Sequence, residues 1–258
     1  MFLFGRTQML SDYNYDDSLR VFREVGFDGA EISILDKAFM VRPEIFSEET
    51  LNGISDTAES LDLTLSVSCH IDYVNKQENF NTVIKAMKVA RDLRSSLLII
   101  NGALKQAETL DEEALEWQRT VEKTKALCTY AEYAGVDLAL EFEPGFVIDS
   151  TKQLLKLMEE VDSPNLKANL DLGHAFLCDP DPLASIAALS DKIVHCHIED
   201  MKEGIHDHLL PGEGDMDLGE YIEKLKVVGF NGALALDLYK YDYRAVSADA
   251  INKIRKLL

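Results

Sequence analysis

A length of 258 residues, with 46 Asp and Glu against 26 Lys and Arg, gives a formal net charge of -20. The acid is spread along the whole sequence, and such a surface repels phosphate backbones and anionic membranes, so no nucleic acid and no membrane is expected as partner. No apolar run approaches the roughly 18 residues of a spanning helix and no basic-then-apolar leader is visible, which predicts a soluble, cytoplasmic protein. Cys69, Cys128, Cys178 and Cys196 are widely spaced without a CxxC pair, so they are expected to be reduced and structural.

In chain order, short apolar strands alternate with amphipathic helical stripes. The expected strands are Met1–Gly5, Gly29–Ser33, Leu63–Cys69, Leu97–Asn101, Val136–Phe142, Lys167–Leu172, Ile193–Ile198 and Ala233–Leu238. Helices are expected over Asp16–Val25, Ser47–Leu61, Asn79–Leu93, Asp111–Ala134, Thr151–Val161, Pro182–Leu189, Leu218–Val228 and Ala245–Leu258. Ser47, Asp111 and Asp217 stand as N-terminal caps, and Gly26, Gly135 and Gly229 as helix-ending glycines. The phrases EVGFDGAEI, EYAGVDLAL and VVGFNGALAL repeat one design of helix end, glycine, polar turn and strand. With no linker-like shift in composition, the pattern predicts an α/β fold: one (β/α)8 TIM barrel domain over residues 1–258, a common size being about 250 residues. A doubly wound open sheet is the alternative.

Strand parity favours the barrel. Leu138, Leu140 and Phe142 share one face while Ala139, Glu141 and Glu143 share the other; Asn169 and Asp171 oppose Ala168, Leu170 and Leu172. Polar groups therefore gather at the C-terminal ends of strands, where barrel active sites are built: Glu31, His70, Asn101, Glu141, Glu143, Asp171, His195, His197 and Asp237. His174, His206 and His208 lie just beyond strands. Several carboxylates in one pocket ionise together only at a cost unless a cation is present, and carboxylate with imidazole suits Mn, Mg or Co, with Zn also accommodated. The competing reading, an ion-pair network, needs basic residues, and Lys and Arg look nearly absent from these strand ends.

The set LALE (Leu138–Glu141), LDLGH (Leu170–His174), VHCHIED (Val194–Asp200), the H-x-H-x-x-x-G-x-G loop (His206–Gly214) and the last-strand acid Asp237 resembles the xylose isomerase-like barrel superfamily. That superfamily includes ketose 3-epimerases, hydroxypyruvate isomerases, inosose dehydratases and apurinic endonucleases. The resemblance implies a divalent metal held by Glu141, Asp171, His197 and Asp237, with Glu141 and Asp237 as the general acid/base pair. His70, Asn101, Glu143, His174 and His208 are then left to contact substrate, and His195 sits lower in the barrel as a packed residue. The last-strand acid of the epimerases is Glu, one methylene longer than Asp237, so Asp237 is expected to serve better as ligand than as base. The His206/His208 pair resembles the further metal positions of the endonuclease branch, but Asn101 and His206 stand where that branch has His and Asp.

These readings imply a metal-dependent isomerase or epimerase acting on a small sugar, polyol or sugar-derived keto acid. The alternative on the same site is an inosose-type dehydratase, with His208 or Glu143 as its acid. A non-catalytic metabolite-binding barrel and a metal-dependent endonuclease rank below both. No basic or Gly-rich phosphate loop stands out. Ile71–Gln77, Leu104–Leu110 and Phe176–Pro182 are candidates to wall the pocket, with Tyr73 and Phe176 as candidate sugar-stacking rings, although such aromatics more often only pack. Tyr239, Tyr241 and Tyr243 suit packing or the contacts of a homo-oligomer, dimers and tetramers being common in the superfamily.

Overall fold

A computed structural model describes residues 1–258. Its strands are β1 (Phe2–Arg6), β2 (Gly29–Ser33), β3 (Thr64–Cys69), β4 (Leu97–Ile100), β5 (Asp137–Leu140), β6 (Leu166–Asp171), β7 (Ile193–Ile198), β8 (Asp200–Lys202), β9 (Ile205–Leu209) and β10 (Ala233–Leu236). Eight of them close into a barrel in the order β1-β10-β7-β6-β5-β4-β3-β2, every pairing parallel. The remaining two, β8 and β9, form an antiparallel hairpin beyond β7.

The helices are α1 (Tyr15–Val25), α2 (Glu48–Ser60), α3 (Gln77–Asp92), α4 (Leu110–Ala134), α5 (Thr151–Val161), α6 (Leu172–Cys178), α7 (Pro182–Leu189), α8 (Leu218–Val227) and α9 (Tyr243–Arg255). Local chemistry fixes their ends. Asn14 accepts from Asp17 N–H to start α1, and Gly26, at φ 105, ends it in the left-handed region where glycine meets no Cβ penalty. Helix α4 begins earlier than Asp111, because Thr109 caps it in a reciprocal capping box with Glu112. None of the helices is long and apolar enough to cross a membrane.

The outward aliphatic residues, such as Leu138, Leu140, Leu170 and Leu234, are fully buried against the helices. The barrel interior is narrower and takes small or ring residues: Phe4, Ala233 and Ala235 form their own apolar cluster near its lower end. Arg6 and Asp237 each stand two positions beyond a member of that cluster, toward the upper end, while His195 shares the level of Ala233. Two departures from expectation matter for the site. A short helix, α6, starts directly on Asp171, and β8–β9 turns the His-rich stretch into a hairpin rather than an open loop.

Candidate metal centre

Strand register sets the site. Asp171 on β6 pairs with His197 on β7, and Arg6 on β1 pairs with Glu31 on β2, so these side chains start as lateral neighbours on the inward face. Glu141 follows the last residue of β5, and Asp237 follows the last of β10. All six are buried, Glu141 being the most exposed at 5%.

The four residues expected as metal ligands are brought together. His197 Nδ1 lies 3.1 Å from Glu141 Oε2, 3.8 Å from Asp171 Oδ2 and 4.0 Å from Asp237 Oδ2. Its other nitrogen, Nε2, donates to Glu31 Oε2 at 2.8 Å. Asn169 Nδ2 donates to Glu141 Oε2 at 2.6 Å and reaches His197 Nδ1 at 3.3 Å. With Glu31 accepting the Nε2 proton, Nδ1 is the nitrogen that faces the carboxylates, the orientation that a carboxylate-backed metal-binding histidine requires.

The donors fit a divalent ion by a second criterion. Asp171 Oδ1 caps α6 by accepting from His174 N–H at 2.7 Å, whereas its Oδ2 is buried with no hydrogen-bond partner. Two unit charges 4 Å apart repel by about 4 kcal/mol at an effective dielectric of 20, so facing carboxylates of this kind need a cation between them. Burial opposes a charged imidazole at His197, but Glu141 and Glu31 outweigh it and raise the pKa well above the ordinary value. An imidazolium or a metal ion thus answers the same local excess of negative charge.

Arg6 corrects the expectation that strand ends lack basic residues. It is the last residue of β1, one position beyond the strand end expected from sequence, and is only 1% exposed. Its Nε donates to Glu31 Oε1 at 2.9 Å and its Nη1 ion-pairs with Asp237 Oδ1. Burial tends to push the Glu31 pKa up, yet Arg6 and His197 hold it well below the usual carboxylate range. Asp237 keeps Oδ2 for the centre, 3.5 Å from His208 Nδ1.

The remaining candidates surround a cavity of about 240 Å3. His70 Nε2 is 3.3 Å from Glu141 Oε2, and Asn101 Nδ2 donates to Glu143 Oε2 at 3.2 Å. Burial raises the pKa of Glu143 despite His174 beside it. His174 Nδ1 donates to the Phe142 carbonyl at 3.0 Å, and its Nε2 meets His206 Nε2 at 3.1 Å, one imidazole donating to the other. Tyr239 lines the mouth of the cavity with Phe39 stacked on it at a ring separation of 6.0 Å. A larger surface groove of about 420 Å3 between α4 and α5 has Lys156 over the Trp117 ring and none of the converging donors, so the smaller cavity is the chemical one.

The other residues considered lie outside the cavity lining. Tyr73 is fully buried and bonds Thr124 at 2.8 Å, so it stacks on no substrate; Phe176 packs against the core. Tyr243 is buried with its hydroxyl on the Leu236 carbonyl, and Tyr241 donates to Glu213. His195 bonds Asn169 Oδ1 at 2.9 Å below the centre, and burial lowers its pKa to about 3, which keeps it neutral. Sequence reasoning gave no role to Arg6, Phe39, Asn169 or Glu199. Parity alone signalled Asn169 and Glu199, which share faces with Asp171 and His197 respectively.

Residues 19–257 match the family model described as "Xylose isomerase-like TIM barrel". Fructoselysine 3-epimerase of Escherichia coli O157:H7 is 25% identical, over 100% of this chain and 97% of that protein. A 3-dehydroshikimate dehydratase of Bacillus anthracis is 26% identical over 79% of this chain and 71% of its own length. The crystal structure of the IOLI protein with a binding zinc atom superposes with a TM-score of 0.82 at 21% identity, covering 100% of this chain and 96% of that one.

Proposed function

Because the chain belongs to the xylose isomerase-like TIM barrel family, we propose that it is a divalent-metal-dependent isomerase or epimerase of a small sugar, polyol or sugar-derived keto acid. The observation that carries this reading is the grouping of Glu141, Asp171 and His197, whose donor atoms lie within 4.8 Å of one another, with Asp237 Oδ2 4.0 Å from His197 Nδ1 and Asp171 Oδ2 buried and unpaired there. Relatives that act on ketoses and keto-polyols support it.

Those four residues would hold the ion, which when bound polarises a carbonyl and its neighbouring hydroxyl and so acidifies the C–H between them. Mn, Mg or Co suits the oxygen-rich set, and Zn is also accommodated. Glu141 is the group to take the proton: Oε2 faces the ligand cluster and Oε1 lies 3.4 Å from His174 Nδ1. His70, Asn101, Glu143, His174 and His208 present donors and acceptors to the substrate's hydroxyls. Returning the proton to the adjacent carbon isomerises the sugar; delivering one from the other face, through Asp237, epimerises it. With Arg6 on one oxygen of Asp237, the arrangement favours a ligand role for that residue and leaves Glu141 as the principal base.

A dehydratase is the second reading, favoured by one observation. Glu143 sits beside the base, and burial raises its pKa despite His174, which favours the acid form suited to protonating a departing hydroxyl. Product mass separates the two: an unchanged mass marks isomerisation, and a loss of water marks the lyase. The proposal is tested by turnover of ketoses and keto-acids with metal added and removed, alongside Glu141→Gln, for which a folded and inactive protein is expected.

A further inference from the structure

The cavity has one apolar wall. Of the eleven residues that line it, only Phe39 and Tyr239 are apolar, and the others all carry charged, imidazole or amide groups. The two rings lie nearly parallel, 19° apart, with their centroids 6.0 Å from each other. That separation exceeds the about 3.5–4.0 Å of carbon contact, so the rings cover each other only in part and leave apolar surface to the cavity.

Phe39 is held there against its own preferences. It stands in the connection between β2 and α2, 52% exposed, and its φ of 59 lies in the left-handed region that a bulky side chain rarely adopts. The turn around it is locked. Asp36 Oδ1 accepts from the N–H groups of Ala38 at 2.8 Å and Met40 at 2.9 Å, and the Asp36 carbonyl accepts from Phe39 N–H at 3.0 Å. The same carbonyl accepts from Gln8 Nε2 at 3.1 Å, and Gln8 Oε1 accepts from Arg6 Nη2 at 3.2 Å. Arg6 also donates to the Tyr239 hydroxyl at 3.5 Å, so both rings are anchored to the guanidinium that fixes Asp237. Neither burial nor backbone preference accounts for an aromatic residue at position 39. Strain of this kind persists where the surrounding structure over-determines it, as at ligand clamps.

We propose that Phe39 determines substrate specificity: with Tyr239 it forms the wall that receives the C–H face of a neutral polyhydroxy ketone whose oxygens turn to the polar lining. The inference rests on the isomerase or epimerase reading. A hydroxyl turned onto the rings loses water without gaining a hydrogen bond. The wall therefore selects the stereoisomer with an unbroken C–H face on that side. It also offers nothing to a carboxylate or phosphate, because Arg6, the only guanidinium or ammonium group in the lining, is engaged by Glu31 and Asp237.

The test is solvent-deuterium uptake by the metal-loaded whole chain into D-fructose, D-tagatose, D-psicose, D-sorbose, the inososes and 2-keto sugar acids, read as kcat and KM for each. Phe39→Asn removes the ring with a residue that tolerates the left-handed backbone, and Phe39→Tyr keeps the ring. For the best neutral ketone, Phe39→Asn is expected to raise KM about 2–12-fold, the factor equivalent to one aromatic stack, with kcat close to wild type. The preference among stereoisomers should narrow with it. Phe39→Tyr is expected to restore both, and the melting temperature and gel-filtration volume of each variant should match wild type. An unchanged KM and preference in Phe39→Asn would overturn the proposal, and a shifted elution volume alongside would assign the ring to a contact between copies. A fall in kcat that tracks a lower melting temperature would also overturn it and make the ring structural. Uptake confined to the keto acids leaves the proposed function standing while this inference fails, whereas no uptake in wild type removes both.

Discussion

Arg6, the last residue of the first barrel strand, closes an ion pair with Asp237, just past the last strand, and so ties the two ends of the barrel sheet together at the floor of the site. The same guanidinium holds Glu31, which in turn accepts the His197 Nε2 proton. One buried cation thus orients a ligand through each of two carboxylates. Replacing it strands both acids: Arg6→Met is expected to lose about 3–5 kcal/mol of stability, the usual cost of removing one partner from a buried pair. Urea denaturation measures it, and a loss below about 1 kcal/mol, the range of exposed pairs, would show that the acids do not depend on Arg6.

Glu141→Gln preserves shape and the contact with Asn169 while removing the base. A fall in kcat of about 10²–10⁴-fold is expected for loss of a positioned general base, read at saturating metal because Glu141 is also a proposed ligand, with the circular dichroism close to wild type. Wild-type turnover in this variant would assign proton transfer to another residue.

Asn169 touches no proposed substrate position, yet its amide ties Glu141 to His197 and its carbonyl oxygen accepts from His195. Asn169→Ala leaves all four ligands in place but unaligned, and metal affinity is expected to weaken about 10–100-fold, as for other residues that orient ligands. Isothermal titration with Mn(II) reads the change. An unchanged Kd would mean that strand register alone aligns the centre.

The β8–β9 hairpin is held by Asp200, which is buried and accepts from the N–H groups of Met201, Gly212 and Met216. A Cβ at Gly214 would stand 2.3 Å from Asp200 Oδ1 and 2.4 Å from the Met201 carbonyl. Gly214→Ala is expected to loosen the hairpin and raise KM through His208 while leaving the barrel's cooperative melt intact. Limited proteolysis should then cut first between Met201 and Met216. Resistance equal to wild type would show that the turn adapts without displacing the hairpin.

Metal removal is a further handle. An ion that binds only the folded chain stabilises it by about 2.7 kcal/mol at a hundredfold excess over Kd, so chelator-treated protein is expected to melt at lower temperature and to recover on adding Mn(II). A melting temperature indifferent to both treatments would count against a metal centre at Glu141, Asp171, His197 and Asp237.

The fold was legible in sequence because period two and helix punctuation act locally: the bounds of β2 and β7 and of α5 and α7 follow from them without reference to the rest of the chain. Parity also carried Glu141, Asp171, His197 and Asp237 to the inward face. What was not legible depends on distance across the barrel. Arg6 reads as a residue after a strand until closure brings β1 beside β10, and only then does it meet Asp237. Tyr73 looks like a pocket ring because its loop follows β3, but the loop turns it onto Thr124 of α4. Likewise the His206–Leu209 segment reads as an open loop until Asp200 folds it back as a hairpin.

The central claim is proton transfer by Glu141 beside a bound metal. Its most direct measurement is deuterium uptake from heavy water into a panel of ketoses, inososes and keto acids, followed by mass. The metal-loaded wild type is expected to incorporate one solvent deuterium at the carbon next to the carbonyl of its substrate, and chelator-treated protein and Glu141→Gln none. Uptake that persists in Glu141→Gln or without metal, or its absence across the whole panel with metal bound, would contradict the account.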